Sequence, residues 1–357
     1  MHNRPLLVMC IAQFTYSLAR NLINPFFPSY VASFGVSYAV VGAVLASFGV
    51  TRVFIEIPGG VLIDRFGRRP VILFGLGISM ISHLLGGLAQ SVVELVVARM
   101  TIGVGSAFVM SAGMLFVGEL VAAEHRQRSI AQFQSASSIG GIIGPTLGGV
   151  LVDSWGIRTS FYTAVLLTLS SIALIAWLRS TPSSSMQSSR FSLRLLREAI
   201  TQRSVLLLSG VAFIMFFTFT SIRGTMVPLY GTEFLTLTST QIGVIYSLTS
   251  LVVVLGLILV VPQMEQALGR TRLLILSLII CAGAVATITI AGDFIVFVAT
   301  MIPLGVGFSL LQPSPFTMIM DLVVQEHRGI FMGILRTTGD LGLILGPLLV
   351  GGLLDLG

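Results

Sequence analysis

Gly60-Val61-Leu62-Ile63-Asp64-Arg65-Phe66-Gly67-Arg68-Arg69 sets one acid and three arginines between two long apolar runs. Charge at that density cannot rest in hydrocarbon, so the stretch reads as a short aqueous loop joining two membrane helices. Its excess of arginine assigns it to the cytoplasmic side. Glycine at 60 and 67 gives the backbone the freedom a tight turn needs.

The rest of the chain has the composition of a protein that lives in lipid. Of its 357 residues 55% are hydrophobic and 10% charged, with a mean hydropathy of +0.99, whereas soluble domains carry roughly 25% charged residues. A helix needs about 20 apolar residues to cross a bilayer. Eleven runs meet that need, at 6–28, 38–60, 70–90, 92–117, 129–152, 159–178, 204–230, 240–262, 271–291, 294–319 and 328–354. They are continuous, not ten-residue segments of alternating polarity, which excludes a β-barrel and makes the fold class all-α and polytopic. The first run follows Arg4 closely but lacks a small-residue cleavage site and contains Pro25 and Pro28, so it reads as a retained helix.

All 20 basic residues are arginine, giving a net charge of +6. Counting runs alternately in and out places fourteen of them in inner segments, only Arg158 in an outer one, and five within helices. That asymmetry is the positive-inside signal and excludes a nucleic-acid partner as the source of the basic charge. Cys10, Cys281 and His83 lie in apolar runs with no spacing that suggests a metal site or disulfide frame, and read as packing residues.

A shift of 202 residues superposes one part of the chain on another. Glu124-His125-Arg126 recurs as Glu326-His327-Arg328, Gly144-Pro145 as Gly346-Pro347, Asp153 as Asp355, Gly103-Val104-Gly105 as Gly305-Val306-Gly307, and Gly67-Arg68 as Gly269-Arg270. One offset kept five times marks an internal repeat, and six helices per unit make the two units parallel. The expected organisation is an N-terminal half at 1–178, a cytoplasmic linker at 179–203 with five arginines against Glu198, and a C-terminal half at 204–357. A short amphipathic helix at 191–200 or a plain solvated connector fits the linker. The offset also predicts a twelfth helix near 361–380, beyond Gly357, so the chain reads as truncated, with an unusual end that leaves the C-terminus outside as the alternative.

Gly60, Asp64, Gly67, Arg68 and Arg69 between runs 2 and 3, Arg99-x-x-x-Gly103-x-Gly105 in run 4, and Gly140, Gly144, Pro145, Gly148 and Gly149 in run 5 together resemble the major facilitator superfamily. The resemblance covers essentially the whole chain and implies two six-helix repeats around a central cavity, working by alternating access. It further implies a small-molecule substrate, with the run 5 pattern associated with antiporters. The residues have physical uses of their own. Asp64 can approach the positive end of another helix, Arg65, Arg68 and Arg69 can bind acids or lipid headgroups, and Gly140, Gly144 and Gly148 expose one face for close helix contact beside the bend expected at Pro145. At the position matching Asp64 the second unit has Gln266, with Glu265 next to it.

An arginine at a helix centre costs roughly 2.5–3.5 kcal/mol on insertion scales, so Arg20, Arg52, Arg99, Arg223 and Arg336 each call for water, a partner or a function. Arg20, Arg99 and Arg223 fall in runs 1, 4 and 7, which the resemblance places around the cavity; they are expected to form a positive outer half that handles an anionic or carbonyl-bearing substrate or responds to protons. Arg52 with Glu56, and Arg336 with Asp340, are each four apart and share a helix face. Pairing within each helix, or crossed pairing of Arg52 with Asp340 and Arg336 with Glu56 to close an inner gate, both fit.

No set of nucleophile, base and orienting residue appears, which argues against an enzyme. The expectation is a monomeric secondary transporter of the cell membrane with its N-terminus in the cytoplasm. It needs no cofactor or metal and has a small-molecule substrate, protons and lipid as partners. Proton-coupled export of a small organic compound leads. Proton-coupled uptake or facilitated diffusion of a sugar, organic acid or other metabolite follows, and a nontransporting receptor or assembly factor is the reading from another class.

Overall fold

A computed structural model describes residues 4–178, 201–288, 290–323 and 328–356, without the side chains of 56–61, 64, 123, 320, 321 and 328–330. Most of the expected linker, with the surface helix expected at 191–200, lies outside the described residues. The described chain is helical throughout. The first half comprises α1 (Arg4–Asn21), α2 (Phe27–Ala32), α3 (Tyr38–Phe66), α4 (Arg68–Leu88), α5 (Val92–Glu119), α6 (Arg126–Trp155) and α7 (Ile157–Trp177). The second comprises α8 (Arg203–Thr218), α9 (Val227–Glu233), α10 (Ser239–Leu255), α11 (Val261–Leu268), α12 (Arg270–Ile288), α13 (Phe294–Leu311), α14 (Ser314–Leu322) and α15 (Arg328–Leu354). Among the described residues ten helical stretches are long and apolar enough to cross a membrane.

The repeat is visible in where helices begin and end. α12 starts 202 residues after α4, α13 after α5 and α15 after α6, and α11 ends 202 residues after α3. Even the caps follow it: Ser91 accepts from the amide of Glu94 at the start of α5, and Asp293 accepts from that of Val296 at the start of α13. Such side chains satisfy amides that a helix start leaves without partners.

Two readings of the sequence need correction. The first apolar run is not one helix: it breaks between Asn21 and Phe27, where Pro25 biases Asn24 away from the helical region. The stretch Gly60–Arg69 is not an open loop either. α3 continues to Phe66, and the turn is Gly67 alone, at φ +83°. The same one-residue turn recurs at Gly156 and Gly269, with φ of +81° and +74°, a region that only glycine enters freely.

Small residues set how closely the helices approach. In α5, a side chain at Gly103 would meet the carbonyl of Phe48 in α3, and one at Gly105 the Gly75 carbonyl and Ser79 of α4. Gly305 and Gly307 play the same part in α13, against Val252 of α10 and Cys281 of α12. Gly140, Gly144 and Gly148 of α6 lie against Phe14, Asn21 and Leu22 on the first run. Each half thereby gains the close backbone contact on which helix association in lipid depends.

The second half also holds two π-helical segments, Phe219–Met226 and Gly256–Val260. Each is followed two residues later by a proline, Pro228 or Pro262. A proline ring clashes with the carbonyl four residues before it, here at 224 and 258, and the wider π turn makes room for it.

Candidate functional site

The two halves meet along two matched seams. In one, α3 of the first half lies on α15 of the second; in the other, α6 of the first half lies on α10 of the second. A side chain at Gly42 would overlap the Pro347 carbonyl, and one at Gly243 the Pro145 carbonyl. Gly149 rests on the backbone of Ser239 and Thr240, and Gly351, its equivalent at the 202 offset, on that of Tyr38 and Ala39. Thr146 adds a hydrogen bond from its hydroxyl to Ser247 at 2.8 Å. Gly149 and Pro145 of the run 5 pattern, and Gly351 and Pro347 of its copy in α15, therefore lie where the halves touch, whereas Gly140, Gly144 and Gly148 pack within the first half.

Both seams end, on the face of the membrane opposite Gly67, in a carboxylate that caps a helix of the other half. Asp355 accepts from the amides of Tyr38 at 2.8 Å and Ala39 at 2.9 Å. Asp153 accepts from the amides of Ser239 at 3.0 Å and Thr240 at 2.8 Å, and from the Thr240 hydroxyl at 2.6 Å. Each acid thus satisfies orphan amides and sits at the positive end of a helix. In the sequence these two acids stood out only as repeat landmarks. Their position at the end of one helix, level with the start of another, was the signal that could have assigned them. Asp355 lies outside the membrane spans, and the Ala39 amide first, with that of Tyr38 and the Ser37 hydroxyl, holds its carboxyl below the usual carboxylate range against the opposing effect of desolvation.

Deeper along the first seam Arg52 meets Asp340 across the two halves, Nε to Oδ1 at 3.5 Å, with Asp340 buried and Arg52 partly so. The guanidinium of Arg52 also stands 5.8 Å from the Phe48 ring. Arg336 is exposed, and the side chain of Glu56 lies outside the described residues, so of the four charges one crossed pair is in view. Asp64 and Gly60 are likewise outside the described side chains.

The arginines of the signature stretch are bound within their own half. Arg68 is buried and pairs with Glu119 at the end of α5 at 2.5 Å. Arg69 donates to the carbonyls of Ile175 at 3.1 Å and Ala176 at 2.5 Å, closing the end of α7, while Arg65 is exposed over the Phe66 ring. In the second half Glu265 is held by Arg270 at 2.5 Å.

Of the three arginines expected around one cavity, the structure brings two together. Arg20 and Arg99 line a cavity inside the first half with Asn24, Phe27, His83 and Phe161. Arg99 donates to Asn24 Oδ1 at 3.2 Å and stands 4.8 Å from the Phe27 ring and 5.1 Å from that of Phe48. His83 is buried, 3.3 Å from the Thr168 hydroxyl. Arg223 does not join them. It lies in the first π segment and donates to the Tyr246 carbonyl at 3.0 Å and to Ser250, with its guanidinium over the Phe219 and Tyr246 rings. Phe48, an unremarkable aromatic in the sequence, touches both Arg52 and Arg99.

Comparison with known proteins completes the description. The family model described as Major Facilitator Superfamily matches residues 9–347. Multidrug resistance protein 2 of Bacillus subtilis is 29% identical over 360 residues, covering 96% of this chain and 87% of that protein. Multidrug resistance protein 1 of the same organism is 23% identical, covering 99% and 90%. Among solved structures, a bacterial homolog of the human lysosomal transporter Spinster, in an inward-facing and unoccupied conformation, superposes with a TM-score of 0.82. It is 16% identical, over 98% of this chain and 82% of that one. The nucleoside transporter NupG gives a TM-score of 0.79 at 15% identity, over 100% of this chain and 92% of that one.

Proposed function

This chain belongs to the Major Facilitator Superfamily and is an integral membrane transporter of a small molecule, and from that premise we propose that it exports an organic compound in exchange for protons. The halves at 1–178 and 204–357 rock about the two seams, joined by the cytoplasmic linker at 179–203. The chain works as a monomer in the cell membrane with its N-terminus inside.

The observation that carries this reading is the matched pair of seams between the halves. Contacts there recur with a 202 offset on α6 and α15 and a 201 offset on α3 and α10, and run inward from the outer face, in the first seam to the buried Arg52–Asp340 pair. An interface built twice from small residues and two helix-capping carboxylates has two discrete arrangements, closed and separated. Alternating access needs such an element, and a coupling ion acts on it by binding one arrangement better than the other. Asp340 is the acid placed to do so, because neutralising it removes a charge interaction with Arg52 across the seam. Export is favoured by the multidrug resistance relatives and by the Gly140–Gly149 pattern.

The test is flux in proteoliposomes holding the purified chain and a lipophilic dye, with and without an imposed pH gradient. Dye should accumulate against its gradient only when the pH difference is present, and Asp340→Asn should abolish accumulation while keeping dye exchange. Equal flux with and without the gradient would make the protein a facilitator, and binding without flux or exchange would make it a receptor.

A further inference from the structure

Arg20 and Arg99 share one cavity in the interior of the first half, surrounded by the break between α1 and α2 and by α4, α5 and α7. No carboxylate is among the residues that line it. Arg99 has an amide oxygen, that of Asn24, and two aromatic rings as partners, while its Nε is buried without a hydrogen-bond partner. Arg20 is placed over the Tyr16 ring at 5.9 Å. A guanidinium stays protonated in proteins. Aromatic faces attract a cation without neutralising it, and an amide oxygen carries no charge, so these partners leave two like charges together in a medium of low dielectric.

We propose that this cavity binds one small monovalent anion, either a halide-sized inorganic ion or the carboxylate group of a compound in transit. Space selects the size: the free volume at its centre is about 20 Å³, against the 10–15 Å³ or so that a single water needs. Two guanidiniums select the charge and favour an acceptor that receives paired N–H donors, as a carboxylate does. The apolar wall of Phe27 and Phe161 suits the hydrocarbon next to such a head. Phe48 joins the site to the seam, since its ring touches Arg99 on one side and Arg52 on the other. This inference needs only the two arginines and is independent of transport direction or proton coupling.

The test measures the thermal unfolding midpoint of the purified full chain in detergent, with ionic strength fixed by sodium gluconate, whose polyhydroxyl chain does not suit the apolar wall of Phe27 and Phe161, and part of it replaced by chloride or acetate. Chloride, acetate or both should raise the midpoint by a few degrees and saturate. Arg20→Gln and Arg99→Gln should each weaken the effect at least tenfold, while Arg223→Gln, in the other half, keeps it. Should a Gln variant fail to fold, Arg99→Lys serves in its place and should bind with reduced affinity. Displacement of radiolabelled chloride by acetate, with acetate exchanged across proteoliposome membranes, identifies the carboxylate of a transported compound. Chloride binding that acetate does not displace identifies an inorganic ion. Identical midpoints in the three salts, or a shift that survives both Gln substitutions, would overturn the proposal. Loss of dye export with the anion shift intact would instead sink only the export reading.

Discussion

A methyl group added at Gly42 or Gly243 should open the outer face of the molecule. In the structure each glycine lies so close to a proline carbonyl of the opposite half, that of Pro347 or Pro145, that a Cβ cannot be accommodated without separating the helices. Backbone cannot swing aside as a flexible side chain would. Overpacking of a tight contact costs about 1–3 kcal/mol, and here the cost falls only on the arrangement in which the seam is closed. At about 1.4 kcal/mol per factor of ten, Gly42→Ala or Gly243→Ala should move the ratio of closed to open molecules roughly 5- to 150-fold toward open. The two contacts lie on different seams, so their effects should add in free energy. Gly77→Ala and Gly283→Ala are the controls, because a Cβ at either meets nothing within 4 Å. Spin labels at Gln90 and Phe234, both exposed and in opposite halves, report the separation by pulsed electron resonance once Cys10 and Cys281 are replaced by Ala. A longer distance population should appear in the two seam variants and grow in the double variant. If the seam variants give the same distances as the controls, the seams do not govern outer closure.

Further outcomes follow from the charged contacts. Arg52→Asp and Asp340→Arg should each lower transport at least tenfold, and the double swap should recover much of it; a double swap as inactive as the singles counts against a pairing role. Arg68→Met removes the buried ion pair with Glu119 and should cost about 3–5 kcal/mol of stability. Adding Glu119→Leu should restore most of the lost melting temperature, and a double variant less stable than the single would refute the pair. The Asp355 carboxyl is held below its ordinary value of about 3.9. Its contribution to the closed outer face is therefore complete above that value and disappears as the pH falls through the lower, latched one. Titration of Asp355 should thus leave outer-face distances unchanged from pH 5 to 8, so a change across that range must persist in Asp355→Asn and come from another group such as Asp340, and a change that Asp355→Asn abolishes would refute the latch.

The membrane helices were legible because hydropathy and charge depend on composition alone, and the repeat because one offset keeps the same residues at matching positions. Run boundaries fell near helix ends where a cap or a glycine marks them, as at Ser91, Asp293 and Gly156. They were misleading where a helix continues past the apolar run, since Asp64 and Arg65 can ride on the last turns of α3 once those turns leave the hydrocarbon. Polarity shows where the lipid stops, not where the helix does. The contact of Arg52 with Asp340 was one of two pairings open to a reader of the sequence, because charges four apart in each helix can pair locally or across, and only the packing of α3 on α15 brings these two together. Arg223 was out of reach for a related reason. Depth in the membrane groups it with Arg20 and Arg99, but the direction in which it points depends on the π turn that carries it. The capping roles of Asp153 and Asp355 needed knowledge of which helix of the other half begins beside each.

Those two capping contacts place few demands on the residues they grip. Each carboxylate holds backbone amides, which every residue except proline supplies, so Tyr38, Ala39 and Ser239 can change identity over generations without loss of the contact. The constraint sits on one acid per seam and on keeping proline out of the two positions opposite it. A lineage of such chains should therefore drift freely in side chains at 38, 39 and 239 while retaining an acid at 153 and 355, and a library randomised at these five codons should return the same pattern under selection for function.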